Sequence, residues 1–173
     1  MRRLRYSVAA SLDGFIAGPN GEFDWIPMDP EIDFAAMFAR YDTLLLGRKS
    51  YEATVNHPDG LSLWSHLRLI VCSRTLAGVS GAEVWSDDVA ARVAALKQEP
   101  GQDLWLFGGG ELFRTLLAAG VVDDIEVAIV PVLLGGGIPM RALPAERTAL
   151  ALTDSRLYAQ SGIMLLTYAV RAA

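Results

Sequence analysis

The chain has 173 residues, enough for a substantial core, and its 52% hydrophobic content exclude an intrinsically disordered segment. A formal net charge of −5 repels phosphate backbones, so no nucleic-acid partner is expected. The basic start Arg2-Arg3-Leu4-Arg5 is followed by a run that Ser11, Asp13 and Gly14 interrupt, and no apolar stretch is long enough to span a bilayer; neither a signal peptide nor a membrane is expected, and the cytoplasm is the expected compartment.

The pattern predicts a first strand at Tyr6–Ala10. Turn signals at Asp13-Gly14 and Gly18-Pro19-Asn20-Gly21 flank Phe15-Ile16-Ala17. Apolar residues at 34, 37 and 38 predict a helix over Ile32–Arg40 after Asp29-Pro30. Thr43–Leu46 reads as a buried strand ended by Gly47, and Ser50–Val55 as the start of a helix. Leu67–Cys72 and Ala82–Trp85 follow as strands; Cys72, which has no second thiol to pair with, reads as a small core residue. Ser86-Asp87-Asp88 supplies capping residues for a helix over Val89–Leu96. Next come a strand at Asp103–Phe107, a turn at Gly108-Gly109-Gly110, a helix at Glu111–Ala119 and a strand at Ile125–Val130, with Asp123-Asp124 expected at the surface. Ala149–Leu157 and Ile163–Val170, separated by Gln160-Ser161-Gly162, predict an antiparallel hairpin. The alternation of strand and helix predicts one α/β domain over 1–173, a mostly parallel sheet covered by helices with an antiparallel edge.

Two strand–glycine–helix junctions carry the chemistry: Leu46-Gly47-Arg48-Lys49-Ser50 and Phe107-Gly108-Gly109-Gly110-Glu111-Leu112. Glycine at the end of a strand lets backbone N–H groups approach a phosphate, and the helix beyond offers unpaired donors and a positive dipole end. A diphosphate lying between two such junctions would use both, with Arg48 and Lys49 adding charge at the first. Neither is a GxGxxG or GxxxxGK[ST] motif, and one alone would read as an ordinary turn. Ser73-Arg74, again at a strand end, pairs a hydroxyl with a guanidinium and suits a phosphate monoester such as the 2′-phosphate of NADP. His57 and His66 are spaced too widely for a helical metal pair, and no metal is expected. Trp25, Trp64, Trp85 and Trp105 suit core positions, Trp25 being the exception that follows a turn-rich loop.

In order along the chain, AASLDGFIA (9–17), GRKSYE (47–52), SRT (73–75), GGGEL (108–112) and PVLLGGGIP (131–139) resemble the dihydrofolate reductase superfamily. The first and the last two are similar to the C-terminal reductase domain of the bifunctional riboflavin-biosynthesis deaminase–reductase; GRKSYE is more similar to dihydrofolate reductase itself. The resemblance implies a three-layer dihydrofolate reductase-like fold, with helices on both faces of the sheet. It implies that Ala9 and Ile16 flank a nicotinamide, that Gly47, Arg48, Lys49 and Ser50 and then Phe107, Gly108, Gly109, Gly110, Glu111 and Leu112 hold the diphosphate, and that Ser73 and Arg74 hold the 2′-phosphate. It also implies a cis Gly–Gly bond in the second junction. Trp25 resembles the family's tryptophan in a mobile loop and is assigned to the substrate.

The family's buried carboxylate has three counterparts. Counting back from Gly47 selects Glu31, counting forward from Trp25 selects Asp29, and Asp33 would face a cleft if Phe34 packs inward; all three also suit solvated first-turn acids. No Cys/His deaminase signature accompanies the motifs. The expectation is an NADPH-dependent reductase of a small pteridine or pyrimidine-type heterocycle, including 5-amino-6-(5-phosphoribosylamino)uracil; the alternative is an NADPH-binding sensor or interaction protein without catalysis. Specificity is placed in the loops after Gly18 and around Asn56 to Trp64. A homodimer is expected, because Leu150-Ala151-Leu152 and Ile163-Met164-Leu165-Leu166, with Leu133-Leu134 and Ile138 beside them, leave few polar positions on the hairpin.

Overall fold

The computed structural model describes residues 1–56, 60 and 62–171, without the side chain of Leu63. His57 and residues 58, 59 and 61 of the predicted specificity loop from Asn56 to Trp64 therefore lie outside the described residues. In chain order the elements are β1 (Leu4–Ser11), β2 (Phe15–Ala17), α1 (Phe34–Phe38), β3 (Tyr41–Gly47), α2 (Arg48–Val55), a 3-10 turn (Ser62–Trp64), β4 (Arg68–Cys72) and β5 (Glu83–Trp85). There follow α3 (Val89–Leu96), β6 (Asp103–Gly108), α4 (Gly110–Ala118), β7 (Asp124–Val130), β8 (Ile138–Pro139), β9 (Leu150–Tyr158) and β10 (Ile163–Val170).

Among the described residues the main sheet has eight strands in the order β5-β4-β3-β6-β1-β7-β10-β9. Every pairing from β5 to β7 is parallel, and β10 then pairs antiparallel with both β7 and β9. This is the α/β architecture expected, mostly parallel with a closing antiparallel hairpin. Alternation along the strands splits the core in two. Leu4, Tyr6, Leu45, Ile70, Leu104 and Leu106 pack with Val93 and Leu96 of α3 and Phe113 and Leu116 of α4. On the other face Leu44, Leu46, Leu69 and Trp105 pack with Phe38 of α1, Tyr51 of α2 and Trp64. No helix among the described residues is long and apolar enough to cross a membrane.

Several elements differ from the pattern. The helix predicted over Ile32–Arg40 shrinks to the five residues of α1, because the chain arrives through Pro30 and only at Asp33 does a carboxylate accept the Ala36 N–H, at 2.9 Å, to start it. Helix α2 begins at Arg48, earlier than predicted, with Gly47 as its N-cap. Asp88 occupies the N-cap of α3 but at φ 45°, and its side chain makes no capping bond. Cys72 is half-buried, and burial pushes its thiol up to about 12. The Asp123-Asp124 pair is not a surface pair: Asp124 is buried, accepting from Arg3 at 2.5 Å and Arg5 at 2.9 Å, while Asp123 accepts from Lys97 at 2.6 Å. Carboxylates at the start of a central strand need such partners to be buried at all.

An added element is β8, which pairs antiparallel with β2 in a separate two-stranded ribbon. It zips the SLDGFIA segment to the LLGGGIP segment. Asp13 accepts the backbone N–H groups of Leu134 at 3.1 Å and Gly135 at 2.8 Å, and the Ser11 hydroxyl donates to it at 2.6 Å. Those bonds hold the Asp13 carboxyl below the usual carboxylate range, the Ser11 bond contributing most. Leu12 N–H donates to the Val132 carbonyl and Met140 N–H to that of Gly14, at 2.9 Å each.

Candidate active site

The two glycine junctions stand side by side. β3 and β6 are adjacent and parallel, so Gly47 and Gly108-Gly109 emerge at the same edge of the sheet. A Cβ on Gly47 would lie 3.5 Å from the Gly109 nitrogen and 3.6 Å from the Gly108 oxygen; one on Gly109 would lie 3.5 Å from the Ser50 hydroxyl. The Gly108-Gly109 peptide is cis. Neither α2 nor α4 has a side-chain cap, so both present first-turn N–H groups beside one another. Gly110 is set by close approach: a Cβ there would meet the Pro139 carbonyl at 2.5 Å, and its own carbonyl accepts the Ala142 N–H at 3.2 Å. The segment against it carries Arg141, whose Nε is buried with no hydrogen-bond partner among the described residues. The adjoining glycine turns and the two helix amino termini suit an anion such as a diphosphate.

The remaining cofactor candidates surround this edge. Arg48 is exposed and paired with Glu52 at 3.1 Å, Lys49 and Arg74 are exposed, and Ser73 is buried at the end of β4. The Ser73 oxygen accepts from Thr75 at 3.2 Å and Leu76 at 3.0 Å, which leaves its O–H proton to donate. Glu111 lies exposed in the first turn of α4, and Leu112 and Phe107 are half-buried on opposite faces, in contact with the α3/α4 core and with Trp64 respectively. Ile16 is half-buried in β2. Ala9 packs in a third apolar cluster with Val130, Tyr158, Ile163, Ile26, Ile32 and Trp25. Trp25 is thus a wall of that cluster, its indole N–H donating to the Glu22 carbonyl at 3.1 Å.

The three acids separate clearly. Asp29 is buried and fully engaged, accepting the Glu31 N–H at 2.8 Å and the Ser161 N–H at 3.0 Å; the Ser161 hydroxyl is the largest influence lowering its pKa, and Arg156 a small one. It pins the loop before α1 to the hairpin turn. Glu31 is exposed. Asp33, also exposed, caps α1 and lines a cavity of ≈ 300 Å³ between that helix and the sheet. Ser7 forms part of its floor, two residues before Ala9 on the same face of β1, so the cavity lies about 7 Å along the strand from Ala9.

That cavity also holds residues the sequence pattern did not single out: Glu126 from β7, Arg40 after α1, and Asp154 and Arg156 from β9. Glu126 is 5% exposed, paired with Arg40 and lying 3.6 Å from Arg5. A charge inside the apolar strand Ile125–Val130 was the available signal for it, since a buried carboxylate needs a reason. His66 is exposed, and no three His, Cys, Asp or Glu among the described residues are grouped to hold a metal.

Residues 2–164 match the RibD C-terminal domain. The chain is 35% identical over 178 residues to YyaP of Bacillus subtilis, an uncharacterized protein, covering 96% of this chain and 94% of that one. The diaminohydroxyphosphoribosylaminopyrimidine deaminase/5-amino-6-(5-phosphoribosylamino)uracil reductase of Thermotoga maritima superposes with a TM-score of 0.72 at 15% identity, over 98% of this chain and 57% of that one. Dihydrofolate reductase of Enterococcus faecalis, complexed with NADP(H), superposes with a TM-score of 0.68 at 17% identity, over 98% and 97%.

Proposed function

The chain belongs to the RibD C-terminal domain family, and from that premise we propose that it is an NADPH-dependent reductase of a small pteridine or pyrimidine-type heterocycle. The observation that carries this is the pair of adjoining glycine junctions with two uncapped helix amino termini. In this reading, first-turn N–H groups of α2 and α4 and Ser50 hold the diphosphate, Lys49 adds charge, and Arg48 exchanges Glu52 for it. Ser73 and Arg74 take the 2′-phosphate. When bound, NADPH would supply a hydride; the protein's part is orientation, water exclusion and a proton. Trp25, Ile26 and Ile32 shield the Ala9 end from water, and the substrate ring occupies the cavity beyond, where the Asp33 carboxyl provides the proton. Reduction of 5-amino-6-(5-phosphoribosylamino)uracil is one form of this activity. Two copies pair through the apolar face of the hairpin.

The test is titration of the purified protein with NADPH and NADH, followed by cofactor fluorescence. NADPH is expected to bind at least tenfold more tightly, and Arg74→Ala to lose that preference while keeping its NADH affinity. Equal or absent binding of both cofactors would overturn the reading. NADPH binding without turnover across oxidised pterins, folates and pyrimidines would instead select the binding-only alternative.

A further inference from the structure

We propose that Arg156 is a specificity-determining residue, anchoring an anionic substituent of the ligand in the cavity between α1 and the hairpin; this rests on the reading of that cavity as the substrate site. The cavity contains two cations of different standing. Arg40 is committed to Glu126, which is buried and cannot be left unpaired without cost. Arg156 has no carboxylate within ion-pair distance among the described residues. Its guanidinium instead lies over the Tyr158 ring, 4.6 Å from the centroid. That stacking fixes the planar fork before any ligand arrives, so less side-chain freedom is lost when the fork closes on an oxyanion.

The neighbouring acids of the lining, Asp33 and Asp154, form no ion pair with this cation among the described residues. Asp33 Oδ1 is occupied by the Ala36 N–H and Asp154 Oδ1 by the Ser155 N–H, at 2.9 and 2.8 Å. Their remaining oxygens can accept from ring N–H and amino groups. Ile32, Met37 and Leu165 add apolar lining. A ligand matching this arrangement is a planar heterocycle with N–H donors toward Asp33 and a carboxylate or phosphate toward Arg156. Either anion fits a guanidinium fork bidentately.

The experiment uses matched probes on the full chain, with and without NADP⁺: pterin against pterin-6-carboxylate, and uridine against uridine 5′-monophosphate, by calorimetry. At least one anionic probe is expected to bind tenfold or more tightly than its neutral partner, the winning pair distinguishing carboxylate from phosphate. Arg156→Ala should abolish that difference and Arg156→Lys restore part of it, with NADP⁺ affinity and melting temperature unchanged. Equal binding of charged and neutral probes, binding of none, or a preference that survives Arg156→Ala would overturn the proposal. Because the preference is measured without cofactor as well, its loss is distinguishable from a failure to bind NADP⁺, which would strike the reductase reading instead.

Discussion

Asp29, Glu31 and Asp33 are near-equivalent in the sequence, yet the fold gives them three different surroundings. Their separation depends on the backbone path through Pro30, a short non-helical stretch whose side-chain directions follow no period. Glycine junctions are legible because turn chemistry is local; the orientation of an acid in an irregular loop is not. Glu126 was hidden for a related reason, since its partners Arg5 and Arg40 lie 121 and 86 residues away in sequence. Asp33→Asn should lower the turnover of any reduced substrate by about 100-fold, the lower range for a lost general acid, and leave the NADPH dissociation constant unchanged. Asp29→Asn should do the reverse, sparing chemistry and lowering the melting temperature at pH 7. The sign follows from a folded-state pKa held below its unfolded value. The carboxylate's stabilisation is full above the unfolded pKa, about 4, and disappears as pH falls through the lower folded value. Melting curves of wild type and Asp29→Asn should therefore converge on acidification from pH 7 toward pH 3. A deficit that stays constant over that range would show that the charge of Asp29 is not its source.

At the scale of elements, the strands of the main sheet and α2 to α4 were readable from apolar runs and glycine stops, with ends shifted by a few residues. β8 was not, because two residues in a glycine- and proline-rich stretch carry no periodicity; only its partner β2 makes it a strand. The ribbon nevertheless links the motifs. Asp13 grips the Leu134-Gly135 turn, β8 follows, and residues 139–142 then close on Gly110 at the head of α4. Two neighbouring glycines test how far that link is mechanical. Gly137 has φ 151°, and a Cβ there would lie 2.2 Å from the Ala17 carbonyl oxygen; a Cβ on Gly136 meets nothing within 4 Å. Gly137→Ala should destabilise by about 1–3 kcal/mol, through overpacking against backbone and an unfavourable φ, and weaken NADPH binding with it. Gly136→Ala should stay within about 0.5 kcal/mol of wild type. Denaturant unfolding and an NADPH titration on both variants check this, and equal behaviour of the two would break the connection from ribbon to cofactor edge.

For the whole molecule, the hairpin, with few polar positions in its sequence, is two-sided. Ile163 is buried against Tyr158 and Val130, and Leu165 is half-buried beside them, so the apolar residues of that face pack within the chain itself. Ile138 belongs to the β2–β8 ribbon and not to the hairpin surface. On the opposite face Leu150, Leu152 and Leu157 are 37%, 57% and 56% exposed. They share that face because the register slips between Thr167 and Tyr168, so that Asp154 pairs with Thr167 and Leu152 with Tyr168. Without the extra residue, strict alternation would place Leu157 on one side and Leu150 and Leu152 on the other. A device that gathers three exposed leucines on an edge strand works against a monomer in water, since such edges are ordinarily protected by charge or covered. A two-fold pairing of this face with itself would bury them and leave Asp154 and Arg156, on the far side of β9, open to the cavity. Light scattering at micromolar concentration should give twice the 18.7 kDa chain mass. Leu152→Lys with Leu157→Lys should return the mass to that of one chain while preserving NADPH affinity, because neither leucine touches the glycine junctions. A wild-type mass of one chain, or a dimer indifferent to both lysines, would place the contact elsewhere or remove it.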